Sequence, residues 1–80
     1  MPVVLRVDGF KFFFFANEGM EPMHGHVEKG DGAAKFWLKP TRLAQNYGLR
    51  AGELSKARRI IDDNEKLLVG KWNEFSRRKK

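Results

Sequence analysis

The dipeptide Asp8-Gly9 stands between two runs of β-branched and aromatic residues, and it constrains the fold of this chain more than any other feature. Both residues tolerate positive φ, as the type I′ turn of a two-residue hairpin requires. Such a loop predicts three cross-strand pairs on one apolar face: Val7 with Phe10, Leu5 with Phe12, and Val3 with Phe14. The reverse face of this hairpin would carry Val4, Arg6, Lys11, Phe13 and Phe15.

A second hairpin is predicted around Gly30-Asp31, between strand-like segments 24–28 and 33–39. A two-residue or a four-residue loop gives the same register, whereas a three-residue loop would shift it by one residue. In the favoured register the pairs are His24 with Trp37, Gly25 with Phe36, His26 with Lys35, and Val27 with Ala34.

The hydrophobic period changes after about residue 52. Residues at three- and four-residue steps form the stripe Leu54, Ala57, Ile61, Asn64, Leu68, Trp72 and Phe75, which predicts an amphipathic helix. An unbroken helix over this span would be about 36 Å long, longer than a globule of this size is wide. Because Asp62-Asp63-Asn64 offers N-cap side chains, we expect a kinked helix or two helices.

Eighty residues allow one small domain. The predicted fold class is α+β: an antiparallel sheet of three to five strands, built from two hairpins and packed on one face by the C-terminal helix or helix pair. Residues 1–47 are expected to be mainly β, 50–76 helical and 77–80 a basic tail. Residues 41–47 fit either a short strand or a helical turn.

Several classes of protein are disfavoured by composition. The absence of cysteine excludes disulfides and thiolate–zinc sites. No apolar run approaches the roughly 18 residues of a membrane span, and no signal-peptide pattern precedes the first strand. We therefore expect a cytoplasmic protein with no membrane partner.

The charge balance favours anionic partners. Sixteen Lys and Arg against ten Asp and Glu give a formal net charge of +6, which suits nucleic acid or an acidic protein. Four of the cations form the terminal run 77–80, which is either a solvated helix end or a phosphate contact. Composition alone does not decide between these partners.

Strand alternation predicts the candidate site. If both hairpins share one sheet, one face gathers Arg6, Lys11, Phe13, Phe15, His24, His26, Lys35, Trp37 and Lys39. Rings interleaved with cations suit single-stranded nucleic acid, with RNA favoured, because bases stack on the rings while cations neutralise phosphates. We assign the cations to phosphates, and Phe13 and Trp37 to base stacking. The alternative places these rings under a helix, or in contact with a partner or a second copy.

The His24-Gly25-His26 segment adds candidate chemistry. Alternate strand residues lie about 6.5–7 Å apart on one face, near enough to serve one scissile phosphate or one metal. As an acid–base pair the imidazoles would cleave RNA, with Lys35 stabilising the phosphorane. With Glu28 they would bind a metal ion, and the protein would then be a metal-dependent enzyme, which is the second alternative. A structural or partner-contacting role for both histidines is also open, and no cofactor is predicted.

Taken as strings, several segments resemble a known bacterial family: Phe-Phe-Phe-Phe-Ala-Asn-Glu-Gly at 12–19, Glu-Pro-Met-His-Gly-His-Val-Glu-Lys-Gly-Asp-Gly at 21–32, Ala-Lys-Phe-Trp-Leu-Lys-Pro at 34–40 and Trp-Asn-Glu-Phe at 72–75. Over nearly its whole length the chain resembles the small proteins catalogued as domain of unknown function 4160. The most specific part is Glu-Pro-x-His-x-His-Val, matched by Glu21, Pro22, His24, His26 and Val27. Met23 stands where members often carry a second proline.

The resemblance implies no particular activity. Members are commonly encoded beside another small protein, which implies a toxin–antitoxin-like pair and, for a basic chain, a cognate acidic partner. The expected function is therefore an RNA-binding component of such a module, with RNA cleavage by the two histidines as its catalytic version. A protein-interaction module without catalysis, including a homodimer, is the alternative.

Overall fold

The structure of the protein, a computed structural model, describes residues 3–14 and 22–78, with the backbone alone for 75–78. It is an α+β fold of five strands followed by two helices, as predicted. The elements are β1 (Val3–Val7), β2 (Phe10–Phe13), β3 (His24–Lys29), β4 (Gly32–Trp37), β5 (Arg42–Tyr47), α1 (Ala51–Asp63) and α2 (Glu65–Arg78).

The strands form one antiparallel meander in the order β1-β2-β3-β4-β5. The register predicted for β3 and β4 is confirmed at all four pairs, from His24 with Trp37 to Val27 with Ala34. Lys29 pairs with Gly32, so the loop is the two-residue Gly30-Asp31 turn. The residues 41–47, left open between strand and helical turn, supply the edge strand β5.

The first hairpin follows the prediction at its turn and departs from it near its open end. Asp8 and Gly9 have φ of 50° and 84°, as the type I′ turn requires. The pairs Val7 with Phe10 and Leu5 with Phe12 are confirmed, but the register shifts between Val3 and Leu5, so that Val3 faces Phe13. The predicted pair of Val3 with Phe14 is therefore wrong. Phe15 lies outside the described residues.

The helical segment is broken at Asn64, so that two helices form. The backbone N–H of Asn64 donates to the carbonyl oxygens of Ile60 and Ile61, and its side-chain amide donates to Ile60 at 2.8 Å. These bonds satisfy carbonyls that the end of α1 leaves open. At the other end of α1, the Arg50 N–H donates to the Glu53 carboxylate at 2.9 Å, so this backbone donor at the N-terminus of the helix has a hydrogen-bond partner.

The core lies between one face of the sheet and the two helices. Five of the strand side chains that line it are at most 3% exposed: Phe10, Phe12, Val27, Ala34 and Phe36. The helices contribute Ala57, Ile60, Ile61, Leu68 and Trp72. This arrangement leaves the other face of the sheet to the polar side chains. Within the described segments, no helix combines the length and the apolar character needed to cross a bilayer.

Candidate nucleic-acid interface

The face of the sheet opposite the core, here called the polar face, is built from three rows of side chains that run across the strands. Directly opposed residues of neighbouring strands share a face, so the strand pairing defines each row. The first row is Arg6, Lys11, Glu28 and Ala33; the second is Phe13, His26, Lys35 and Gln45; the third is His24, Trp37 and Arg42. The prediction that strand alternation places both imidazoles, Lys35 and Trp37 on one face agrees with this register.

The first row is close to neutral at its centre. Lys11 lies opposite Glu28, with Nζ 3.9 Å from Oε1, and both side chains are about half exposed. Arg6 is exposed and lies opposite Lys11. An exposed pair of this kind contributes at most about 1 kcal/mol and leaves both groups accessible to a ligand.

The third row holds the ring most suited to contact a ligand. Trp37 lies on the polar face and is half-buried. The Lys35 Nζ lies over this ring, 4.8 Å from its centroid, which is cation–π distance. Arg42 lies directly opposite Trp37 on the edge strand and is exposed. An aromatic surface and two cations therefore meet at this corner of the sheet.

The charge of the sheet is unevenly distributed along the chain. Between Gly32 and Gly52 there is no Asp or Glu, whereas the same segment carries the cations Lys35, Lys39, Arg42 and Arg50. The β1–β2 hairpin and β3, by contrast, carry the carboxylates Asp8 and Glu28 in addition to their cations. Within the sheet itself, β4 and β5 carry Lys35 and Arg42 and no carboxylate, which makes the β4–β5 side electropositive.

His24 differs from the outward-facing imidazole that alternation predicted. Its side chain is 0% exposed, and its Nδ1 donates to the carbonyl oxygen of Pro22 at 2.9 Å. The ring centroid lies 5.1 Å from that of Trp72 on α2 and 5.7 Å from that of Trp37. Trp72 also meets the core ring of Phe14 edge-on, so this tryptophan links the core to the buried end of the third row.

His26 and Phe13 form a stacked pair in the second row. Their ring centroids are 5.7 Å apart with an angle of 20° between the planes. Phe13 is only 5% exposed, which corrects the expectation that its ring faces outward for a base to stack on. His26 remains half-buried and is the imidazole that the solvent reaches.

Lys39 is separated from the other predicted phosphate contacts. Strand β4 ends at Trp37, two residues earlier than the predicted segment, and Leu38 is buried. Lys39 has φ of 54° and precedes a cis proline, Pro40. It borders a shallow depression with α2 residues that include Glu65 and Val69. It therefore lies beside α2 rather than in a row of the polar face.

A metal site of two imidazoles and the Glu28 carboxylate is not formed. In the part of the chain that the structure describes, no three His, Cys, Asp or Glu side chains are grouped so that they could hold a metal ion. Glu28 is opposite Lys11 at the far end of β3 from His24.

Two residues of the interface were missed by the sequence reasoning, Arg42 and Tyr47. Both lie on β5, and Tyr47 is 57% exposed, with its hydroxyl donating to the Gln45 side chain. The available signal was the alternation Arg42-x-x-Gln45-x-Tyr47. By sequence, residues 41–47 fit a strand or a helical turn, and a bulge between Leu43 and Gln45 interrupts simple alternation.

Comparison with known proteins identifies a family but no activity. A family model described as a domain of unknown function (DUF4160) matches residues 9–73. No curated protein and no solved structure gives a significant match.

Proposed function

The chain belongs to the family described as a domain of unknown function (DUF4160), and from the geometry of its polar face we propose that it binds single-stranded RNA there. The observation that carries this proposal is the half-buried Trp37 on the polar face, with Lys35 Nζ 4.8 Å from its ring centroid and Arg42 opposite it. Sheet aromatics stack on unpaired bases, and neighbouring cations neutralise the phosphates on either side of a stacked base.

The positions of the cations support a path for the bound RNA across the sheet. Lys35 and Arg42 lie on the electropositive β4–β5 side, and Lys11 and Arg6 continue the cations toward β1. A strand crossing from β5 to β1 would meet a cation on four of the five strands. His26, half-buried between Lys35 and Phe13, lies on the same course and can donate or accept a hydrogen bond there.

The proposal is binding without cleavage. An acid–base pair must reach the scissile phosphate within hydrogen-bond distance. The His24 ring has no exposed surface and uses Nδ1 on the Pro22 carbonyl, so we assign it to positioning Trp37 and α2. His26 and Lys35 then act as contacts to the backbone of RNA.

We also propose that the protein acts in the bacterial cytoplasm, as the RNA-binding member of a two-protein module of the toxin–antitoxin type with an acidic partner. Two features support this: the gene arrangement implied by the family resemblance, and the net charge of +6, which favours an acidic partner.

The experiment is equilibrium binding of a fluorescein-labelled 12-nucleotide oligouridylate, followed by anisotropy. Loss of one stacked base costs about 1–3 kcal/mol, so Trp37→Ala should bind about 5- to 150-fold more weakly than the wild type. The matched control is Leu67→Ala, which removes an exposed apolar side chain from α2 and should bind as the wild type does. Equal affinity of Trp37→Ala and wild type, or no binding at low salt, would overturn the proposal.

A further inference from the structure

The outer edge of β5 is a second surface with unused binding capacity. Among the described strands, β5 lies at the edge of the sheet and pairs with β4 alone. Among the described residues, no backbone hydrogen bond outside the sheet and helices involves residues 42–47. The outward N–H and C=O groups of this strand are thus available to another extended segment.

The side chains of β5 show that both sides of this edge are accessible. Leu43, opposite Phe36 on the core side, is 46% exposed, and Tyr47 is 57% exposed. An added strand points its side chains alternately to the two faces of a sheet, so it would cover Leu43 from one side and Tyr47 from the other. These are two of the four large hydrophobic side chains that are exposed in the described part of the chain.

The charge around this edge selects the occupant. Arg42 lies on β5 and Lys35 lies opposite Gln45 of β5, and no residue of β5 is acidic. A second copy would bring like charges together at the edge, and the bulge between Leu43 and Gln45 further disfavours flat self-pairing. An acidic strand instead gains attraction from Arg42 and Lys35. The other edge strand, β1, lacks this asymmetry because Asp8 at its end pairs with Lys56 at 3.4 Å.

We propose that the outer edge of β5 binds an extended acidic segment of a partner protein as a sixth strand of the sheet. This inference does not rest on RNA binding, since it uses the backbone edge of β5 and not the indole of Trp37. Backbone pairing supplies the affinity, and alternating carboxylates facing Arg42 and its neighbours supply the preference for an acidic segment.

The test uses the full chain and a synthetic peptide, acetyl-Thr-Glu-Val-Glu-Ile-Glu-Val-amide, with hydrogen exchange as the readout. Saturating peptide should slow amide exchange across 42–47 and leave β1 unchanged. Arg42→Glu should weaken peptide binding about two- to fivefold, since an exposed charge pair is worth up to about 1 kcal/mol. Lys71→Glu makes the same charge change on exposed α2 and should have no such effect.

The control peptide replaces the isoleucine by proline, which keeps the charge and removes a backbone donor. It should fail to slow exchange in β5. Equal binding of the proline peptide would reduce the attraction to charge alone and overturn the proposal, as would protection of β1 instead of β5. A mass that rises with protein concentration, with β5 protected in the absence of peptide, would make a second copy the occupant and also overturn it.

The two proposals fail separately. Trp37→Ala should lose RNA affinity and keep the peptide-induced protection of β5. A protein that binds RNA but gives no β5 protection contradicts only the sixth strand, whereas one that binds the peptide but no RNA contradicts only the function proposed above.

Discussion

The imidazole of His24 donates a hydrogen bond from Nδ1 to the carbonyl oxygen of Pro22 over 2.9 Å, from a position with no solvent exposure. A carbonyl oxygen only accepts, so the proton is on Nδ1. The same ring contacts Trp37 and Trp72. His24 therefore joins the end of β3, the polar face and helix α2, which is a structural role for one half of the His-x-His pair.

Replacement of the two histidines should separate their roles by stability. His24→Ala removes a buried ring and its hydrogen bond and should lower the free energy of unfolding by about 2–4 kcal/mol. His24→Phe keeps a ring and loses the bond, so about 1 kcal/mol is expected. His26→Ala, at a half-buried site, should also cost about 1 kcal/mol. Urea unfolding measures all three, and a loss for His24→Ala no larger than for His26→Ala would contradict the assignment.

Gly32 should tolerate no side chain. A Cβ there would lie 2.7 Å from Leu49 Cδ2 and 3.0 Å from the Gly48 carbonyl group, whose backbone has little freedom to move. Gly32→Ala should therefore destabilise the protein by about 1–3 kcal/mol. Gly70→Ala is the matched control, because its site in α2 is open and alanine should stabilise the helix by about 0.5–1 kcal/mol. Thermal unfolding measures the stability of both variants. A Gly32→Ala variant as stable as the wild type would contradict the close contact at Gly32.

The Thr41 hydroxyl should couple the β4–β5 connection to α1. It donates to the Asp62 carboxylate at 2.6 Å, and Thr41 is 6% exposed. Thr41→Val should lower the free energy of unfolding by about 1 kcal/mol. A double-mutant cycle with Asp62→Ala should show the two losses to be non-additive. Additive losses would mean that the bond contributes nothing to stability.

The salt dependence of RNA affinity should show whether Arg42 contacts a phosphate. Phosphate contacts from Arg6, Lys11, Lys35 and Arg42 predict a slope of log affinity against log salt of about −3 for a single strand. Arg42→Glu should lower the affinity and make the slope shallower by about 0.7. Lys71→Glu changes the net charge equally, from exposed α2. If both variants lose the same affinity, then attraction to overall charge, and not the polar face, accounts for binding.

The parts of the fold that were predictable are those decided by local chemistry. Asp8-Gly9 and Gly30-Asp31 determine two-residue turns, so the pairs beside them, such as Val7 with Phe10 and Val27 with Ala34, follow by counting. The break at Asn64 follows from the same kind of reasoning, since Asp62-Asp63-Asn64 offers capping side chains and the Asn64 amide bonds the Ile60 carbonyl at the end of α1.

The remaining features depend on contacts between distant segments. The burial of His24 involves Trp72, 48 positions later in the chain, and no local pattern distinguishes a strand residue that a helix covers from one that faces water. The bulge between Val3 and Leu5 likewise has no signal in a run of apolar residues. Strand alternation alone predicts that the Phe13 ring faces outward for base stacking, whereas the ring is buried in the structure.

The most direct test of the proposed function follows the two indole N–H signals of the protein, one from Trp37 and one from Trp72, in ¹H–¹⁵N spectra. Trp37→Phe assigns them by removing one signal. On titration with unlabelled oligouridylate, the account predicts that the Trp37 signal moves progressively to saturation while that of the buried Trp72 stays in place. A Trp37 signal that does not move at RNA concentrations that saturate anisotropy, or movement of the Trp72 signal alone, would contradict binding at the polar face.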